Sequence, residues 1–152
     1  RMRAWFKAHE GAVTRLLPYH EHYMVSAGAD RTVALWDLRM AGSRGGNSSG
    51  AKAGSSRMLV RRLGGVSSPV ADCALVGGAV ACAAGSRIAV APLDVASGAD
   101  AIVSGAALTM DPIRLRGVKG KPESANVVSL NVMPHSRLFV ASAEDGMLHV
   151  CV

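Results

Sequence analysis

The chain has 152 residues, 49% of them apolar but only 4% aromatic, and its 17 basic and 11 acidic side chains leave a net charge of +6. That length holds one core of ordinary size or a slice of a larger repeat array, and a core poor in aromatics must be built from Val, Ala, Leu and Met, which suits strands packed face to face. Cys73, Cys82 and Cys151 form an odd set without a C-x-x-C pair, and no apolar run reaches spanning length, so neither a disulfide framework, a zinc site nor membrane insertion is indicated.

Period-two alternation recurs along the chain while long helical periodicity is nearly absent, which predicts an all-β fold. "RMRAWF" opens as a strand candidate, followed by "AVTRLL" and "HYMVSA". In "TVALWDL" alternation sets Val33, Leu35 and Asp37 on one face and Thr32, Ala34 and Trp36 on the other. Met40 to Arg57, "MAGSRGGNSSGAKAGSSR", is too rich in Gly, Ser and Ala to bury much apolar surface and reads as a flexible insertion. The strand candidates "RMLVRRL", "PVADCALV", "AVACAAG" and "RIAVAPL" come next. Val95 to Pro112 reads as a second insertion; a helix over 99–110 is its rival, weakened by Gly105 and the β-branched residues. "IRLRG", "VVSLNVM" and "LFVASAEDGMLHVCV" complete the chain.

With the insertions set aside, an internal repeat emerges. "YMVSAGADRTVALWDL" aligns with "AVACAAGSRIAVAPLD" and with "LFVASAEDGMLHVCV", which brings Asp30, Gly85 and Asp145 into register, and likewise Val33, Ile88 and Leu148. Each unit is three strands and, after a variable loop, a fourth. Such a unit cannot bury both of its faces alone and needs neighbours stacked on it.

Ala8 to Arg39, "AHEGAVTRLLPYHEHYMVSAGADRTVALWDLR", resembles a complete WD-repeat: His9 with Gly11, Ser26, Asp30, Trp36 and Asp37 fill the positions of that family's pattern. The resemblance implies a β-propeller in which a chain of hydrogen bonds runs from Trp36 through Ser26 and His9 to Asp30. Elementary chemistry gives those residue types a reason. An aspartate can accept from unpaired backbone N–H groups of a turn while fixing a histidine, and a half-buried indole N–H needs an acceptor. The pattern fades along the chain. Residues near Val66, then Ala81, Gly85 and Ala91 take those positions in the second unit; in the third, Asp145 remains while Ala141 and Cys151 replace the hydroxyl and the indole.

The expected architecture is a partial β-propeller of about three four-stranded antiparallel blades, fewer than the roughly 4 to 8 that close a ring. Residues 1–7 are expected to be the outer strand of a preceding blade and 8–63 a blade with its insertion at 40–57. A degenerate blade follows over 64–116, with its insertion at 95–112, and 117–152 form an incomplete last blade. A start at Arg1 and an end after a third strand read as the C-terminal portion of a larger propeller.

Ser26, His9 and Asp30 are also the residue types of a hydrolase triad. A nucleophilic serine, however, usually sits exposed on a strained turn, whereas "MVSAG" places Ser26 inside an apolar strand. No catalytic residue and no cofactor is implied. His20 and His22 flank Glu21 in a Pro-led loop without a third ligand, and "GVKGKPES" lacks phosphate-loop spacing. The bases of "RMLVRRL" and "IRLRG" read as charges that keep outer strands from pairing edge to edge. Glu10, Arg31, Arg87 and Glu144 fall at loops and turns on one end of the expected propeller and are candidates for contacting partners. The leading expectation is a non-enzymatic scaffold binding other proteins or peptides. Two alternatives are an RNA- or DNA-associated propeller using the basic outer strands with Lys119 and Lys121, and the regulatory C-terminal propeller of a larger trafficking or signalling protein such as a BEACH-type protein. With no signal peptide, the expected location is cytoplasmic, the nucleus being the other compartment open to it.

Overall fold

β-branched and small residues carry the strands, as their fit to a pleated surface requires. The computed structural model describes residues 6–41, 57–93, 111–114, 125–133 and 138–151, with 111–114 and 151 as backbone only. In chain order the strands are β1 (Val13–Tyr19), β2 (Tyr23–Gly28), β3 (Val33–Asp37), β4 (Leu59–Leu63), β5 (Val70–Val76), β6 (Ala79–Ala84), β7 (Arg87–Pro92), β8 (Asp111–Arg114), β9 (Val127–Val132), β10 (Phe139–Ala143) and β11 (Leu148–Cys151). They form three antiparallel sheets with the orders β1-β2-β3-β4, β5-β6-β7-β8 and β9-β10-β11. Strands adjacent in sequence are adjacent in space, the arrangement short connections favour.

Two boundaries differ from the sequence expectation. The strand "TVALWDL" stops at Asp37, whose carboxylate accepts the Arg39 backbone N–H at 2.9 Å and caps a single 3-10 turn, Leu38–Met40. β8 begins at Asp111, within the stretch read as an insertion, with Pro112 opposite Ala89. β8 is an edge strand, where a residue without an N–H forfeits no second ladder. Of the expected outer strand 1–7, residues 1–5 lie outside the described residues, and Phe6 and Lys7 are not in a strand. Residues 42–56 and 94–110 of the two expected insertions, with the rival helix over 99–110, also lie outside the described residues.

The sheets stack face to face. Val25, Ala27, Val33, Leu35 and Leu63 of the first sheet meet Val70, Cys73, Val80 and Cys82 of the second. The opposite face of the second sheet, with Ala74, Ala81, Ala83 and Ile88, meets Val127, Leu130, Phe139 and Ala141 of the third. Small residues on both faces of β6 let its neighbours bring larger ones, Leu35 on one side and Phe139 on the other, into close packing. On the far face of the first sheet, Ala34 and Trp36 pack with Met58, Phe6 and Met24. β3 is therefore buried along both faces, on one by the second sheet and on the other by Phe6, Met24 and Met58. The β5–β6 hairpin closes on Gly77 and Gly78, whose φ angles of 53° and 84° are the left-handed pair a two-residue turn of this hand demands.

Contacts between sheets run chiefly through the first strands, because β5 packs beside both β1 and β9. The sheets share one orientation. At the end where the first strands begin, the Val127 N–H donates to the Gly85 carbonyl at 2.8 Å; at the other end, the Tyr19 hydroxyl donates to the Leu93 carbonyl at 2.8 Å. The loops before β1, β5 and β9 and the turns β2–β3, β6–β7 and β10–β11 thus share one end of the stack.

Candidate functional site

Alternation along β2 points Ser26 to the face opposite Val25 and Ala27, where cross-strand pairing and the β3 alternation put Trp36 within reach. The Trp36 Nε1–H donates to Ser26 Oγ at 2.8 Å, and Ser26 Oγ lies 2.7 Å from His9 Nε2. His9 Nδ1 lies 3.0 and 3.1 Å from the two Asp30 carboxylate oxygens. One proton arrangement satisfies all four: the indole donates to the serine, the serine hydroxyl to Nε2, and Nδ1–H to the carboxylate, which can only accept. The structure brings His9, Ser26, Asp30 and Trp36 into one connected line, with Ser26 fully buried and Trp36 1% exposed.

Two further residues belong to this line and are not singled out by the sequence. Thr32 donates to Asp30 Oδ1 from its hydroxyl at 2.8 Å and from its backbone N–H at 3.2 Å, while the Glu10 backbone N–H donates to Asp30 Oδ2 at 2.8 Å. Arg62, on β4, donates to Thr32 Oγ1 at 3.2 Å and to the Ala8 carbonyl at 2.8 Å. The Asp-x-Thr spacing was the available signal for Thr32, since such a pair closes a turn on itself. Nothing local marks Arg62, which meets the turn only because β4 pairs with β3 in this register. Its exposed guanidinium is therefore bonded to the β2–β3 turn and to the loop before β1, a contact in addition to the edge-guarding role expected of that strand's charges.

Burial by itself would raise the Asp30 carboxyl. Hydrogen bonds from the Thr32 side chain, the Glu10 backbone and His9 outweigh it and hold the group at about 2, below its ordinary 3.8. A depressed folded value means that this stabilisation is fully present above the unfolded value and disappears as pH falls through the folded one. Wild-type chain is expected to lose on the order of 2 kcal/mol of stability from this carboxylate as pH drops from about 4 to about 2, a loss absent from Asp30→Asn. Urea titrations of both proteins across that window test it; parallel pH profiles would contradict it.

At the opposite end of β3, Asp37 accepts from Arg39 Nη2 at 2.6 Å and Nε at 3.0 Å, and these bonds, ahead of the opposing effect of burial, lower its carboxyl below the usual value. Arg39 also donates to the Tyr23 hydroxyl at 3.0 Å and lies over that ring at 5.5 Å. His20 and His22 occupy the β1–β2 turn, His20 against the Tyr19 ring and His22 beside Glu21. Among the described residues no group of three or more His, Cys, Asp or Glu is placed to hold a metal ion. Buried Cys73 and Cys82 face each other across β5 and β6, and desolvation first, then neighbouring charge, pushes Cys73 up to about 12 and Cys82 higher still. Thiols so disposed are packing groups and poor nucleophiles.

The four partner-contact candidates all fall at the end of the stack where the first strands begin. Glu10 lies in the loop before β1 and pairs with Lys7. Arg31 is exposed at the tip of the β2–β3 turn with φ at 65°, and Arg87 is exposed at the start of β7. Glu144 opens the β10–β11 turn and accepts from Asn126 Nδ2 at 2.9 Å.

Residues 2–37 match the family model described as WD domain, G-beta repeat. The chain is 26% identical over 146 residues to Protein GFS12 of Arabidopsis thaliana, a match covering 96% of this chain and 8% of that protein. Among solved structures it is similar to the β-propeller domain of Cps50 (Swd1) from Myceliophteria thermophila, with a TM-score of 0.60 at 17% identity over 93% of this chain and 36% of that one. It is likewise similar to the WD40 β-propeller domain of Doa1, with a TM-score of 0.63 at 14% identity over 94% of this chain and 37% of that one. The chain thus spans only a small part of its curated relative and little more than a third of each propeller. Among the described residues no helix is long and apolar enough to cross a membrane. Residues 2–37 thus match a WD repeat, and the three stacked antiparallel sheets have the fold of part of a β-propeller.

Proposed function

We propose that this chain is a non-enzymatic scaffold segment that binds other proteins or peptides at the propeller end bearing Glu10, Arg31, Arg87 and Glu144. The observation that carries this reading is the backbone of Arg31. A non-glycine residue with φ near 65° is held in a conformation that costs a side chain, yet here a long cationic one is displayed in solvent at the turn tip. The Arg31 N–H donates to the Gly28 carbonyl and the Gly28 N–H to the Thr32 carbonyl, so the turn is fixed before any partner arrives. A preformed cationic tip favours an acidic or carbonyl-rich partner surface, with little ordering cost on the scaffold side. The chain's triad-like residues support the non-enzymatic part, for Ser26 Oγ is buried and bonded to both Trp36 and His9.

Arg31→Gly separates fold from recognition. Relieving the left-handed strain is expected to stabilise the chain by about 0.5–1 kcal/mol in denaturant titration. The same variant, and Arg31→Glu combined with Arg87→Glu, should weaken recovery of the proteins that wild type retains from cell extract. Undiminished recovery by the folded double variant would sink the proposal.

A second reading is favoured by the relation to GFS12, in which the segment similar to this chain makes up 8% of the length. We infer that the propeller serves as a regulatory part of a longer multidomain protein. Sequencing the full transcript on both sides of residues 1–152 tests it: further domains are expected, and a transcript encoding no other domain overturns it.

A further inference from the structure

The first strand of every sheet carries the same irregularity. Against β2, the register of β1 shifts between Val13 and Arg15; against β6, that of β5 shifts between Val70 and Asp72. In β9, Val127 and Ser129 pair with the consecutive residues Ala143 and Ser142. Thr14, Ala71 and Val128 are thus the extra residues of three bulges, and Arg15, Asp72 and Ser129 follow them at equivalent places, separated by equal lengths of chain. A bulge re-aims the side chain beside it. Here the three side chains meet across the sheets instead of standing apart.

Asp72 is the centre of that meeting. Its Oδ2 accepts the Leu130 backbone N–H and the Ser129 hydroxyl, each at 2.9 Å, while its Oδ1 accepts the Cys73 backbone N–H at 2.8 Å and lies 3.3 Å from Arg15 Nε. One carboxylate, buried with its side chain 9% exposed, therefore holds partners on β1, β5 and β9. A buried carboxylate fully supplied with donors is strongly held, and removing any donor or its charge leaves the rest poorly matched. The second sheet has the greater need of such a group, because Ala81, Gly85 and Ala91 stand where the first has Ser26, Asp30 and Trp36.

We propose that Arg15, Asp72 and Ser129 form a tie between blades that fixes how the three sheets pack and couples their opening, standing in the second blade for the polar line within the first. The tie acts at a distance: a change on β1 must be felt on β9. Site-resolved amide exchange of Leu130 in the intact protein reads this directly, since its N–H is donated to Asp72. Asp72→Asn keeps the shape but turns one acceptor into a donor, and exchange at Leu130 is expected to accelerate about 10-fold or more. Arg15→Met, changed on the far side of Asp72, should accelerate it by about 2- to 5-fold. Should Asp72→Asn fail to fold, Ser129→Ala, which deletes one donor to the same oxygen, is read in its place with an expected acceleration of about 3-fold. Leu130 exchange unchanged by either the substitution at Arg15 or that at Asp72, or its Ser129 replacement, overturns the tie.

Discussion

Trp36→Ala is expected to destabilise the chain by about 3–5 kcal/mol, a large part of the 5–15 kcal/mol typical of a whole domain. The indole is 1% exposed and packs against Phe6, with ring centroids 4.8 Å apart, and against Ala34, Met24 and Met58. Truncation removes that contact area, opens a cavity beneath the first sheet and strips Ser26 Oγ of its donor. Trp36→Phe divides the two contributions: it keeps most of the packing, loses the N–H, and is expected to cost about 1–2 kcal/mol. Denaturant midpoints followed by far-UV circular dichroism measure both. A midpoint unmoved by Trp36→Ala would mean the indole fastens nothing.

Gly28→Ala has the second largest expected effect, about 3 kcal/mol, although it adds a single methyl group. A Cβ at residue 28 would stand 2.6 Å from His9 Nδ1 and 2.7 Å from Asp30 Oδ1, closer than real atoms approach. The imidazole and carboxylate are bonded at that point, so the methyl group has to push them apart and leave buried polar atoms without partners. The cause can be isolated by a double-mutant cycle. In a His9→Ala background the ring is gone and only Asp30 Oδ1, at 2.7 Å, still opposes the methyl group, so Gly28→Ala should cost about 1–2 kcal/mol; equal costs in both backgrounds would place the strain on Asp30 or elsewhere than the ring.

Both substitutions act where local pattern and tertiary contact meet, and they show how far the sequence could be read. Alternation in "TVALWDL" assigns Val33 and Leu35 to one face and Trp36 to the other, because the side-chain period of a strand is fixed by its covalent geometry. The family pattern singles out His9, Ser26, Asp30 and Trp36, residues near enough in sequence to belong to one repeat. Thr32 and Arg62 are less legible: the first is a small turn residue with many uses, and the second depends on where a strand beyond the 40–57 segment rejoins the sheet. Asp72 was legible least. In "PVADCALV" it looks like a polar interruption of an apolar strand, and only the bulge before it turns its carboxylate toward two other sheets.

The amino-acid order by itself determined the strands, the repeat and the polar residues of the first unit. Each is governed by interactions among neighbours a few to a few tens of residues apart, and composition and period record those faithfully. Tertiary structure alone decided which polar groups join across sheets. That choice depends on the register between separate sheets and on three bulges, quantities set by how the faces pack and carried by no local pattern of residues.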